Sequence, residues 1–232
     1  MIEEHVFVSV KNREVKARKM ESVLLDFLRC DVLERKSMLD IGCGIGQIAE
    51  YFSHRNDVVG ADVHNRLLLS QDSPLRFTLL TSETLPFNRD FFDIVITNHV
   101  IEHIRDQNQH LREIQRVLKP GGICYLATPN WNFPVEPHYR IPFIHYFPAP
   151  VFHGILRLLG MYKEDLFLLS HRRMLALFAA HGFEITEYTG KILQEPERFH
   201  LGIAATQYIP NALLGFVVRL SPTNIFILRK AA

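Results

Sequence analysis

The chain is poor in cysteine, has no long apolar run and carries almost no net charge. Each shortage removes a class of function. The three cysteines, Cys30, Cys43 and Cys124, are far apart and odd in number. They form no Cys-x-x-Cys pair and no disulfide framework, so a reducing, cytoplasmic setting is expected. No apolar stretch reaches the roughly 18 residues that a spanning helix needs, so no transmembrane segment is expected. Lys plus Arg number 26 against 25 for Asp plus Glu, and no basic stripe stands out. A nucleic-acid partner would want such a stripe, because phosphate contacts dominate that kind of binding. The opening MIEEHVFVSVKNREVKARKM is charged throughout and lacks the apolar core of a secretory signal. No internal repeat or low-complexity segment is visible.

What is there reads as a globular domain. The 232 residues are 47% apolar and 22% charged, which suffices for one sizeable core. Apolar residues at helical spacing predict an amphipathic helix over residues 14–29. Short apolar runs bounded by turn residues predict strands at 37–42, 57–62, 76–80, 91–97 and 123–129. Residues 46–54 read as helix, and 99–118 as helix in one or two pieces, stopped by Lys119-Pro-Gly-Gly. Strands alternating with helices argue for a parallel α/β sheet covered on both faces. The rhythm lapses twice, over 130–169 and 192–222, around a helix and strand near 170–191 and before a last strand near 223–230.

The chemistry concentrates at LDIGCGIGQ, residues 39–47, where Gly42, Gly44 and Gly46 mark a strand-to-helix turn. Alternate glycines let backbone approach a ligand closely. Asp62 closes the next strand, where a carboxylate can accept both hydroxyls of a ribose. A dinucleotide site wants G-x-G-x-x-G, but the third glycine here comes one residue early and Gln47 takes its place. Asp40 lies just before the turn and would repel a pyrophosphate. It suits the cationic amino-acid end of S-adenosylmethionine.

LDIGCGIGQIAEYF, GADV, LPFNRDFFDIVITNHVIEHI and LREIQRVLKPGGICYLATPN resemble, in order, the motifs of the class I S-adenosylmethionine-dependent methyltransferases. The likeness is to the small-molecule branch that includes quinone-biosynthesis and sugar or natural-product enzymes. It covers about residues 37–130 and says little about the acceptor. It implies a Rossmann-like seven-stranded sheet in the order 3-2-1-4-5-7-6, with strand 7 antiparallel and helices on both faces. It also implies S-adenosyl-L-methionine as cofactor, met by Asp40, Gly42, Cys43, Gly44 and Gly46 at the methionine end and by Asp62 and Val63 at the ribose. Asn98 would offer its carbonyl to the cofactor's amino group. Many relatives place an aspartate near the adenine where this chain has Thr81, followed by Ser82, so adenine recognition would pass to the backbone there.

Residues 1–232 are thus expected to form one methyltransferase domain. Its core is 14–130, 170–191 and 223–230, and the irregular stretches 131–169 and 192–222 are acceptor-binding lids. The partner is a small-molecule acceptor, with peripheral membrane contact at the apolar 201–218 as a further option. A hydroxyl acceptor would want a base, and His99, His103 and His138 are the candidates. HVIEH, residues 99–103, also fits a His-x-x-Glu-His zinc motif. Because it follows a strand directly, no metal is expected there, and a zinc hydrolase stays an alternative beside a cofactor-binding relative without turnover.

Overall fold

The computed structural model describes residues 2–136 and 138–231, with side chains from residue 13 onward. Strands β1 (Ser37–Ile41), β2 (Asp57–Asp62), β3 (Arg76–Leu79), β4 (Phe92–Asn98), β5 (Leu118–Pro129), β6 (Phe183–Glu187) and β7 (Thr223–Lys230) form one sheet. Its order is β3-β2-β1-β4-β5-β7-β6, as expected. Neighbours from β3 through β5 pair in parallel, and β7 runs antiparallel to β5 and β6.

The pleat sorts the core into two layers, because successive side chains on a strand point to opposite faces. Met38, Ile94, Ile96, Tyr125 and Ile227 pack with Ala17, Met20, Val23 and Leu24 of α1 (Ile2–Leu28) and with Ile48 and Phe52 of α2 (Gln47–Ser53). Leu39, Val95, Cys124, Leu126 and Phe226 pack on the other face. There they meet Leu111, Ile114 and Val117 of α3 (Gln107–Val117) and, past α4 (Ala149–Leu158), Met174 and Phe178 of α5 (His171–Ala180).

Several elements differ from the sequence reading. Helix α1 begins at Ile2 rather than near residue 14. The 99–118 stretch is helical in two pieces, a 3-10 turn at Ile101–His103 and α3, which starts only at Gln107. The side chain of Asp106 caps that start by accepting the Gln109 N–H at 2.9 Å, and a good N-cap fixes where a helix begins. The helix also ends earlier, at Val117, so Lys119-Pro-Gly-Gly lies within β5, whose pairing with β4 shifts register there.

Both irregular stretches hold helices. Segment 131–169 contains α4 and its own small core of Tyr139, Ile144, Phe152, Leu156 and Leu166. After β6 come α6 (Thr189–Gln194) and α7 (Asn211–Arg219), joined by a 3-10 stretch at Ala204–Tyr208. Both segments leave and rejoin the sheet at the carboxyl ends of its parallel strands, since Pro129 pairs with Thr223 and Asn130 bridges to Leu169. In open α/β sheets that rim is where ligands bind.

Candidate functional site

Two groups of residues meet on this rim. The first is the glycine turn after β1. Gly42 has φ +70, and a Cβ there would lie 2.4 Å from Cγ2 of Val100, so only glycine fits the turn against the segment after β4. A Cβ on Gly44 would meet only Nη1 of Arg13, at 3.8 Å, which leaves open space beside the turn. The Gly44 N–H donates to Asp62 Oδ2 at 2.8 Å, and the His64 N–H donates to Oδ1 at 2.9 Å. Asp62 thereby locks the turn to the end of β2. Each of its oxygens keeps a second lone pair for a ribose hydroxyl.

Asp40 is buried at the base of this turn, and among the described residues no hydrogen bond reaches its carboxylate. Burial, reinforced by repulsion from Asp62 and only partly relieved by Arg13, pushes its pKa up to about 7. An acid held under that strain gains most from a cationic neighbour. The ammonium and sulfonium end of S-adenosylmethionine, with no phosphate to repel, is such a neighbour, so the donor set fits that cofactor. Cys43 turns its side chain into the core, where Sγ would sit 3.0 Å from a Cβ on Gly60. Its N–H and carbonyl are both used inside the turn, toward Ala61 and Gly46, so it belongs to the frame of the site. Val63, Thr81 and Ser82 are exposed at the outer edge of the same rim.

The second group grows out of the end of β4. Asn98 is the last strand residue, and His99 follows with φ +58, its N–H donating to Ala127 O at 2.8 Å. A non-glycine residue in left-handed backbone is uncommon and tends to occur at functional sites. The turn then buries Glu102, whose Oε2 accepts the Thr128 hydroxyl at 3.0 Å. Glu102 Oε1 lies 3.3 Å from His99 Nδ1 and makes no hydrogen bond there. The His103 ring stands edge-on to His138, with centroids 5.2 Å apart, and its Nδ1 is 3.3 Å from Glu164.

His138 Nδ1 donates to the fully buried Glu136 at 2.7 Å, and Glu136 also accepts the Tyr139 N–H at 2.6 Å. Burial alone would push His138 down. The hydrogen bond and charge of Glu136, aided by Glu102 and Glu164, outweigh it and hold the ring above the ordinary histidine value. Glu136 itself is held below the carboxylate range, because those bonds outweigh its own burial. Segment 131–169 is pinned to the turn: Gln107 donates to Ile101 O and Phe167 O, and the Phe167 N–H donates to Glu102 O.

His103 and His138 are therefore in contact and His99 lies beside Glu102, but not through a shared helix face as HVIEH suggests. The donors that converge, all within 4.8 Å, are Glu102, His103 and His138, a set without His99 that could hold a divalent cation. Arg13 over the turn and Glu136 behind His138 are neighbours that periodicity does not reveal. The spacing Glu-Pro-His was the available hint for the second. Of the aromatics in 131–169, Tyr139 joins the small core, Trp131 stacks on Tyr146 at 4.8 Å, and Phe143, Tyr146 and Phe147 stay exposed.

Comparison with known proteins agrees with this geometry. A family profile described as "Methyltransferase domain" matches residues 39–126. The ubiquinone biosynthesis O-methyltransferase of Rhizobium rhizogenes is 30% identical over 134 residues, covering 54% of this chain and 54% of that protein. The demethylmenaquinone methyltransferase of Lactobacillus johnsonii is 30% identical over 166 residues, covering 66% of each. The chain spans about half the length of several curated relatives it matches. Among solved structures, an S-adenosylmethionine-dependent methyltransferase from Mesorhizobium loti superposes with a TM-score of 0.58 at 15% identity, covering 85% of this chain and 92% of that one. The profile match falls on the strands and the locked glycine turn, so residues 39–126 resemble the cofactor-binding part of a class I S-adenosylmethionine-dependent methyltransferase, and the sheet has that fold.

Proposed function

We propose that this protein transfers a methyl group to a hydroxyl oxygen of a small, apolar acceptor that enters between segments 131–169 and 192–222. The cofactor supplies a methyl already activated on a sulfonium. The protein's tasks are then to hold both reactants in line, exclude water and accept the hydroxyl proton. Asp62 would hold the ribose, Asp40 and Arg13 the charged amino-acid end, and the backbone near Ser82 the adenine. The observation that carries the oxygen reading is the Glu136–His138 pair. Glu136 fixes the tautomer through Nδ1, which leaves Nε2 as the acceptor of a proton. His99 and His103 line the same place, His99 held by its strained backbone.

The quinone-pathway names of the relatives support an aromatic or isoprenoid-linked acceptor. The exposed rings of Phe143, Tyr146 and Phe147 beside the rim are consistent with one. A sugar-derived acceptor would want more hydrogen-bonding groups there.

Calorimetry with S-adenosylmethionine and its demethylated product tests the cofactor half. Binding is expected in the micromolar range, and Asp62→Ala should weaken it by about tenfold or more, since the ribose contact and the turn's lock are lost together. No binding to the wild-type chain at millimolar ligand would sink the reading. Cofactor binding without transfer to any quinol or catechol would leave a binding module instead.

A further inference from the structure

Large apolar side chains should be scarce on a water-facing surface, and here their distribution is uneven. Eighteen are exposed among the described residues, and twelve of them lie in segments 131–169 and 192–222, which hold under a third of the chain. Helix α7 is inverted: Val218 is its buried residue, while Leu213, Phe216 (64% exposed) and the capping Leu220 form a stripe facing outward. The end of α4 likewise exposes Leu158 (87%), Leu159 and Met161. A helix apolar on its outer face needs a non-aqueous neighbour.

The charges within these stripes are cationic, with the acids Glu164 and Asp165 at the edge of the first and Glu195 and Glu197 at the edge of the second. Residues 140–163 contain Arg140, Arg157 and Lys163 and no Asp or Glu, and residues 198–222 contain Arg198 and Arg219 and no acid. Among the described residues no carboxylate pairs with Arg140, Arg157, Lys163 or Arg219, whereas Arg198 is tied to Asp26 and Glu195. Both segments rise from the same rim and are tied at the base, where Asn130 donates to Arg219 O at 2.8 Å and Ser221 O at 3.0 Å. No helix among the described residues is long and apolar enough to cross a membrane.

We propose that this rim is a docking surface for an anionic lipid bilayer, with α7 and the end of α4 lying in the interface and the four unpaired cations at headgroup level. Unpaired cations beside apolar stripes match a surface that is negative outside and apolar beneath. A protein partner would leave them without a complement unless it were acidic as well. Each cation near such a surface adds electrostatic attraction, and the apolar stripes add the burial term. The surface is separate from the cofactor site. It rests on the functional reading only in that an acceptor carried in the bilayer would meet the rim directly.

Flotation of the full chain with phosphatidylcholine vesicles, alone or with about a third phosphatidylglycerol, tests this. The chain should float with the anionic vesicles, release as salt is raised, and stay behind with the neutral ones. The double variant Leu158→Glu, Phe216→Glu should lose about tenfold or more in partitioning while keeping its cofactor affinity, since both side chains lie outside the cofactor site. Failure to float with anionic vesicles would overturn the proposal, as would undiminished flotation of the variant. So would sedimentation showing that the wild type covers this face with a second copy and the variant does not. Cofactor affinity measured on the same samples reports separately on the methyltransferase reading.

Discussion

Asp40 shows how one residue can be costly for the fold and useful for the site. Its carboxyl is raised to about 7 by burial and by Asp62, far above its ordinary value near 3.8. A raised carboxyl favours the folded state while protonated, so this contribution is present below about pH 4 and lost as pH rises through 7. Without ligand, Asp40→Asn is therefore expected to be more stable than wild type at pH 8, with the difference shrinking as pH falls through 7. Urea unfolding at several pH values measures it. The same variant should bind S-adenosylmethionine more weakly, because the charge that strains the empty fold is the one a cationic ligand satisfies. Calorimetry in buffers of different ionisation heat should also show wild-type proton release on binding near pH 7, absent in the variant.

His138 is the second residue whose surroundings set its chemistry. Held above the ordinary histidine value by Glu136, it should titrate in the wild type at higher pH than a free histidine. Removing the carboxylate in Glu136→Gln should bring that titration down, and NMR of the imidazole protons would follow it. Unchanged titration would remove Glu136 from the role of positioning residue. If His138 is the base, the rate profile of the wild type rises through the same higher pH, because only the neutral ring accepts a proton.

Among elements, α1 is the one whose importance the sequence understates. Its periodicity was readable from about residue 14, and the buried positions Ala17, Met20, Val23 and Leu24 follow it. That the same helix carries Arg13 to the glycine turn was not readable, because a period gives a face and not a neighbour. Leu24→Ala removes a fully buried side chain and should cost about 2–5 kcal/mol, read by denaturant unfolding. The stretch 99–118 is helical in two pieces, and what interrupts them is local. Its apolar spacing suits a helix, but β4 runs on to Asn98, His99 turns left-handed, and Asp106 supplies the cap that delays α3 to Gln107. The strand end and the cap set where the helical pieces begin.

Over the whole molecule, the strands, their alternation and the locked Gly-x-Gly-x-Gly turn with Asp62 were legible, because buried parallel strands and tight turns demand particular residues locally. That the sheet runs 3-2-1-4-5-7-6 came from resemblance, and the pairing registers bear it out. Segments 131–169 and 192–222 were legible only as departures from the rhythm. Their aromatic and apolar residues look alike in sequence whether they form a small core, like Tyr139 and Phe152, or face outward, like Leu158 and Phe216. By itself, then, the sequence determined the fold class and the cofactor class, since strands, helices and the glycine turn are written in residues a few positions apart. Tertiary structure alone decided which histidine has a buried carboxylate behind it, that Glu102, His103 and His138 converge, and that the apolar stripe of α7 faces out. Those facts depend on residues from distant elements sharing one rim, and periodicity along the chain carries no information about which elements will meet.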